Sequence, residues 1–545
     1  MKVIAVIGIC LCIVTMSGFS VEACTTMLVG KDASVDGSTM VTHTCDGNYD
    51  ARVRVIPGQD FEEGAMAPVY KDLCHDSIPG KEMKQAGEIP QVKHTSTYFN
   101  VGYPFMNEHQ VIIGEDTFSG RDECFNDQGL MMIEMLQVFA LQRAKTAREA
   151  IQVMGELAEK YGYGDGGETL TIVDGNEAWM FDIIGPGPFW TPDSGKSGAV
   201  WAAVRIPDDH VSMASNRSRI GTLDLNNPDY YMASANVVSF AEEMEWYNKE
   251  KDGEFLFWKA YNPDPYGAPY YQRRREWRVL SLLAPSLNLD PYLDPEKEQY
   301  PFSVKPDKKV SVQDLMTINR DYYEGTEFDL TKGLAAGPFA CPNRYPTPKD
   351  VKPEYAKDTD WERAISIFRC SYSFVAQARN WLPPAIGGVL WFGEDAPHST
   401  CYIPVYSGVL EMPRPFSSGS RSYYDKESAW WAFDFVSNFA DLKFSYMIQD
   451  IKTVQQELEG QFFAMQPGIE AGALKLYEED PQKAKVFLTN YTKNMAMLTL
   501  ARWRALADEL IYKYNDGYVN GKQVGYPTEW LETVDYGKTN VVPAK

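Results

Sequence analysis

The alternation of apolar and polar positions changes character several times along the chain. After an apolar run near the start, residues 25–30 alternate as a strand. Turn residues Val35-Asp36-Gly37-Ser38 follow, and residues 39–42 form a second apolar strand, so the pattern predicts a hairpin with Cys24 at its free end. Apolar positions then recur at helical spacing over 130–157, with a break at Lys145-Thr146-Ala147 where Thr146 can cap a second helix. Four strand-like runs come next, at 169–173, 178–184, 199–205 and 210–215. Residues 263–355 are rich in Pro, Asp and Tyr with few periodic runs, which predicts loops and short elements laid over a scaffold. Strands resume at 365–370 and between 386 and 409. Helical spacing then holds from 427 to about 514, with interruptions expected at Pro467 and Pro481. The order predicts an α+β chain with mostly antiparallel sheet and a helical tail.

Composition narrows the class. With 545 residues, 44% hydrophobic and 13% aromatic, the chain can bury a large core, which excludes disordered and fibrous classes. The net charge of −23 is spread along the sequence, favours solubility and argues against a phosphate-backbone partner, so no nucleic acid is expected. Met1-Lys2, the apolar run to about Met16, and the small residues Val21 and Ala23 before a cut read residues 1–23 as a signal peptide. That segment is too short to span a bilayer, and no other stretch is apolar for long enough. The expectation is export to the periplasm or beyond, with no stable membrane span. Of nine cysteines, Cys10 and Cys12 leave with the signal segment. Cys45, Cys74, Cys124, Cys341, Cys370 and Cys401 then either form disulfides in an oxidising compartment or stay as buried thiols, and their spacing does not choose between the two.

Cleavage after Ala23 makes Cys24 the first residue, and three readings compete. As a nucleophile it needs no histidine, because its own α-amine, with a reference pKa near about 8, can take the thiol proton. As a lipid-bearing cysteine it fits less well, since Glu22 stands where a small residue is wanted. A structural cysteine is the third reading.

The segment Cys24-Thr25-Thr26-Met27-Leu28-Val29-Gly30-Lys31-Asp32, then Asp36-Gly37-Ser38 and Cys45-Asp46-Gly47-Asn48, resembles the start of the PepD-like dipeptidases. Those are N-terminal-nucleophile cysteine peptidases whose proenzymes are trimmed to expose the cysteine. Further patches agree in order: Gly167-Glu168-Thr169, Ala214-Ser215-Asn216-Arg217, Arg363-Ala364-Ile365-Ser366, Val389-Leu390-Trp391 and Glu427-Ser428-Ala429-Trp430-Trp431. The resemblance implies a four-layer αββα fold over residues 24–424, with the loop-rich insertion around 263–355 and a mainly helical extension over 425–545. It also implies cleavage of dipeptides or short peptides without a cofactor. Residue by residue, Cys24 matches the nucleophile, Asp46 an acid that holds the α-amine, and Asn216 an oxyanion donor. His43 stands where many relatives carry Arg or Lys, and is assigned with Arg217 to substrate binding. Each has a plainer alternative: Asp46 as a turn cap with Gly47, Asn216 as a strand-end residue or sequon, and Arg217 as half of an ion pair.

Other signals carry less. Gly162-Tyr163-Gly164-Asp165-Gly166-Gly167 contains a GxGxxG but follows a helix and precedes a strand, the reverse of a dinucleotide-binding turn. The six histidines show no HExxH or paired spacing and there is no CxxC, so no metal site is expected. Two rival functions remain: an amidase acting on acyl-amino-acid conjugates, similar to bile salt hydrolases, and a lipid-anchored surface protein that binds without catalysis. The sequence leaves a homo-oligomer open.

Overall fold

A computed structural model describes residues 24–263, 269–293, 299–345 and 362–535. The expected signal peptide lies outside the described residues. Two antiparallel sheets organise the chain. The first runs, in spatial order, Ser303–Val304, Val211–Ala214, Thr26–Val29, Thr39–Asp46, Cys370–Ala378, Val389–Glu394 and Ile403–Tyr406. The second runs Tyr231–Ala233, Val200–Arg205, Ala178–Ile184, Gly167–Val173, Ile112–Ser119, Met106–Asn107, Tyr98–Asn100 and Arg54–Ile56.

The sheets face each other where Thr26–Val29 and Thr39–Asp46 meet Ile112–Ser119 and Gly167–Val173. Gly114 makes the approach close: a Cβ there would stand 2.8 Å from the Thr42 carbonyl oxygen and 2.7 Å from Thr171 Oγ1. Helices cover the outer sides. Ile133–Arg143 and Ala147–Tyr161 lie against the second sheet, with Gly155 over the indole of Trp201. Val312–Asn319, Ala429–Ala440, Phe444–Glu479 and Pro481–Tyr514 lie against the first, where Phe463 meets Trp391 with ring centroids 4.2 Å apart. Strands sandwiched in this way are buried on both faces, so all eight residues of Thr39–Asp46 are buried, its threonines included.

The mixed helix-and-sheet reading holds, and several elements fall where the pattern placed them. Thr146 caps Ala147–Tyr161, its hydroxyl accepting from the Glu149 amide at 3.2 Å. Three expectations need correction. The strand expected at 365–370 is instead Cys370–Ala378, because the pairing partner Thr39–Asp46 begins its register at Cys370. Pro467 does not break the tail: Phe444–Glu479 runs through it, and Pro467 is exposed, where water can take the carbonyl its missing N–H frees. The expected loop-rich insertion contains a helix of 15 residues, Pro269–Leu283. Cys24, Cys45, Cys124, Cys341, Cys370 and Cys401 are free thiols. Among the described residues no helix is long and apolar enough to cross a membrane.

Candidate active site

Cys24 stands two residues before the strand Thr26–Val29, near the middle of the first sheet, and is buried. Thr25 bridges Thr44 in antiparallel register, so Cys24 lies across from Cys45 on the neighbouring strand. The two sulfurs lie within 4.8 Å of each other, and Cys24 Sγ donates to Glu115 Oε2 at 3.2 Å. Glu115 comes from the facing sheet, on Ile112–Ser119. Burial pushes the Cys24 thiol well above its ordinary pKa, and the contact with Cys45 and the charge of Glu115 push the same way.

Two arginines bind this corner together. Arg275, from the helix Pro269–Leu283, donates to the Cys24 carbonyl oxygen at 2.7 Å, to Thr25 Oγ1 at 2.9 Å, to the Ser215 carbonyl oxygen at 3.1 Å and to Asn216 Oδ1 at 2.8 Å. Arg363 donates to the same Asn216 Oδ1 at 2.6 Å and pairs with Asp46 Oδ2. Asn216 is therefore the acceptor that joins both guanidiniums, and it sits in the left-handed region with φ of 64°. Its own amide nitrogen donates to the Thr117 carbonyl oxygen at 2.8 Å, and its backbone N–H donates to Asp116. Burial raises the pKa of Asp46, with Arg363 as the leading counterweight.

The carboxylates are graded. Glu115 is pushed up by burial, but its contacts with His43 and Glu168 outweigh this and hold it below the usual range. Glu168 is driven well above, by burial and then by the charge of Glu115. Asp116 is likewise driven up by burial against the pull of Arg275.

The fold thus brings Cys24, Asp46 and Asn216 into one network. His43 joins it from inside: its ring is fully buried among Tyr103, Tyr372 and Phe374, with Nε2 3.5 Å from Glu115 Oε2. Arg217 makes its contacts elsewhere. It pairs with Glu276, its Nη2 at 3.1 Å, and lines a 240 Å³ cavity with Arg219, Tyr231, Trp258, Tyr300 and Phe302 that Cys24 does not reach. Arg217 therefore stands apart from the nucleophile, whereas a ring nitrogen of His43 lies within 4.8 Å of the Cys24 sulfur.

Sequence reasoning missed Arg275, Arg363, Glu115, Asp116 and Cys45 as members of the site. Arg363 and Glu168 were in view within family-like patches, but without roles. Arg275 had no signal, because the helix bearing it turns its charges inward and shows no apolar stripe.

Comparison with known proteins decides the family. The model of peptidase family C69 matches residues 23–457, which takes in every residue of this network. The chain belongs to peptidase family C69. It is a peptide hydrolase, and its resemblance to the PepD-like dipeptidases stands. It is 28% identical to a probable dipeptidase of Salmonella dublin over 402 residues, covering 73% of this chain and 84% of the relative. It is 26% identical to a probable dipeptidase of Latilactobacillus sakei over 423 residues, covering 75% and 79%. A probable dipeptidase B of Lactococcus lactis is 24% identical over 457 residues, covering 82% and 86%. The C69 match ends inside the helix Phe444–Glu479, so the tail beyond residue 457 lies outside it.

Proposed function

We propose that this chain is an exported dipeptidase of the N-terminal-nucleophile class, in which removal of residues 1–23 frees Cys24 to act as nucleophile. The two facing sheets with helices outside them would then be the four-layer αββα fold of that class. The observation that carries the reading is the position of Cys24: it opens a central strand, with its carbonyl held by Arg275 and with Asn216, Arg363 and Asp46 linked beyond it.

In the uncut chain the Cys24 nitrogen is an amide and has no basic lone pair, while burial keeps the thiol protonated. Cleavage supplies the base. The freed α-amine takes the thiol proton, and the sulfur attacks the peptide carbonyl to give a tetrahedral intermediate. That intermediate collapses to a thioester as the protonated amine donates to the leaving amine. The same amine then activates water to release the acyl group. Asp46 Oδ1 is buried and has no hydrogen-bond partner, which leaves an acceptor for an ammonium group. Asn216, whose amide is already committed to Thr117, positions the two arginines, and their positive field offsets the developing oxyanion.

Intact mass and N-terminal sequence of the exported protein, before and after iodoacetamide, test the reading beside an assay with dipeptides and with acyl-amino-acid conjugates. The expected result is a chain starting at a free Cys24 whose alkylation abolishes dipeptide hydrolysis. A retained upstream segment or an acylated cysteine in the active protein removes the base and sinks the mechanism. Hydrolysis of the acyl conjugates alone shifts the substrate class.

A further inference from the structure

The interior of the site holds an arrangement that the peptidase reading does not use. His43 is fully buried, and neither ring nitrogen has a hydrogen-bond partner, a costly state for an imidazole. One donor atom each from Cys24, His43 and Cys45 lie within 4.8 Å of one another. A fourth faces the same point: Glu115 Oε2 is 3.2 Å from Cys24 Sγ and 3.5 Å from His43 Nε2.

We propose that Cys24, Cys45, His43 and Glu115 bind a thiophilic divalent cation of the zinc class, and that its occupancy reversibly silences the nucleophile. Zinc takes thiolate sulfur at about 2.3 Å and imidazole nitrogen or carboxylate oxygen at about 2.0–2.2 Å in a tetrahedron, so neighbouring ligand atoms stand roughly 3.3–3.8 Å apart. The two distances to Glu115 bracket the lower end of that span, and the donor atoms of Cys24, His43 and Cys45, within 4.8 Å of one another, need to close by about 1 Å to reach it.

Sequence explains why linear spacing hid the set. His43 and Cys45 are two residues apart on one strand and share a face, Cys24 is the cross-strand neighbour of Cys45, and Glu115 comes from the other sheet. The surroundings suit a metal. Thr117 Oγ1 donates to Glu115 Oε1 at 2.9 Å and holds the carboxylate, while the rings of Tyr103, Tyr372 and Phe374 enclose the imidazole. Binding is a ligation without redox change: each thiol gives up its proton to solvent, two metal–sulfur bonds form, and the ion's waters leave. The bound sulfur cannot attack a carbonyl, and a chelator that strips the ion restores it.

The silencing rests on the proposed nucleophile, whereas the binding does not, and the experiment separates them. The mature full-length protein is stripped with a chelator, kept reduced with a phosphine, and titrated with cobalt(II) chloride and, in competition with a chromophoric chelator, with zinc chloride. One ion per chain is expected, with the thiolate-to-cobalt charge-transfer band and the intense visible bands of a tetrahedral site. Cys45→Ala and His43→Phe, each checked by circular dichroism, are expected to weaken zinc by about 100-fold or more. Alkylation of Cys24 in the unmutated protein gives the same loss without any question of folding. Cobalt bands that survive Cys24 alkylation, or weak octahedral bands alone, overturn the site. Tetrahedral bands in a protein without dipeptidase activity leave the site standing and sink the functional reading. Zinc binding at this site with hydrolysis undiminished overturns the silencing.

Discussion

Arg363 reaches two groups that sequence analysis assigned to chemistry and ties them to each other: Nη1 holds Asn216 Oδ1 at 2.6 Å and Nη2 holds Asp46. Only a planar fork with fixed donors serves both acceptors, and a lysine ammonium on the same stem is a single point charge. Arg363→Lys keeps the buried charge and loses one charge-assisted hydrogen bond, worth about 1.5–3 kcal/mol. The expected fall in kcat/KM is about 10- to 100-fold, measured on mature protein whose circular dichroism is unchanged; an unaltered kcat/KM would remove Arg363 from the site. Asn216 permits a sharper separation. Asn216→Gly and Asn216→Ala both delete the acceptor shared by the arginines, but at φ of 64° only alanine adds a left-handed backbone cost of about 1–2 kcal/mol. Comparable activity losses are expected, with the alanine variant melting at the lower temperature. These residues were legible unequally. Cys24, Asp46 and Asn216 stood in family-like patches, whereas Arg275 and Glu115 lie on elements whose sequences show no signal of a site, because each reaches Cys24 only through tertiary packing.

Elements were readable where one face meets water. Ala147–Tyr161 alternates buried and exposed positions and begins at a capping threonine, so spacing and capping both mark it. The same rule fails in the middle of the molecule. Pro269–Leu283 buries Gln272, Arg273, Arg274, Arg275 and Glu276 in succession, and Cys370–Ala378 buries Ser371, Ser373 and Gln377 beside its apolar residues. Inward-facing polar residues satisfied by partners from distant strands leave no periodic apolar stripe to find. The two tail prolines show how position decides the effect of one residue type. Pro481 opens the helix Pro481–Tyr514, behind an Asp480 side chain that accepts from the Gln482 amide at 2.9 Å, so its missing N–H loses nothing. Pro467 lies inside Phe444–Glu479 and removes an intrahelical bond. Pro467→Ala is therefore expected to stabilise the protein by about 1–3 kcal/mol, and Pro481→Ala to be near neutral. Urea midpoints at unchanged slope measure both, and equal effects would contradict the assignment.

At the scale of the whole molecule, carboxyl groups closed between layers tie folding to proton binding. Burial raises Asp182 to about 7, even though it accepts from Thr169 Oγ1 at 2.7 Å and Ser218 Oγ at 2.6 Å. Burial, and then the charge of Asp165, raises Glu134 to about 8. Each keeps in the folded chain a proton that the unfolded chain has already released, so each lowers stability as pH rises toward its folded pKa. Other groups pull the other way, His398 and Glu276 among them. Burial lowers His398 to about 4, so the folded chain binds fewer protons than the unfolded one between there and the ordinary histidine value of about 6.5. Burial pushes Glu276 up, but Arg217 and Arg219 outweigh it and hold it at about 2, an effect confined to acid. Above about pH 6.5 these opposing contributions are complete and only the raised carboxyls still titrate. Stability is therefore expected to fall from there to about pH 8, followed by urea midpoints across the window. Asp182→Asn and Glu134→Gln each supply the neutral amide that the folded state already prefers, so each should flatten the decline and the pair should flatten it further. A decline as steep in the double variant as in the natural chain would assign the proton uptake to other groups, and a rise through the window would contradict the sign.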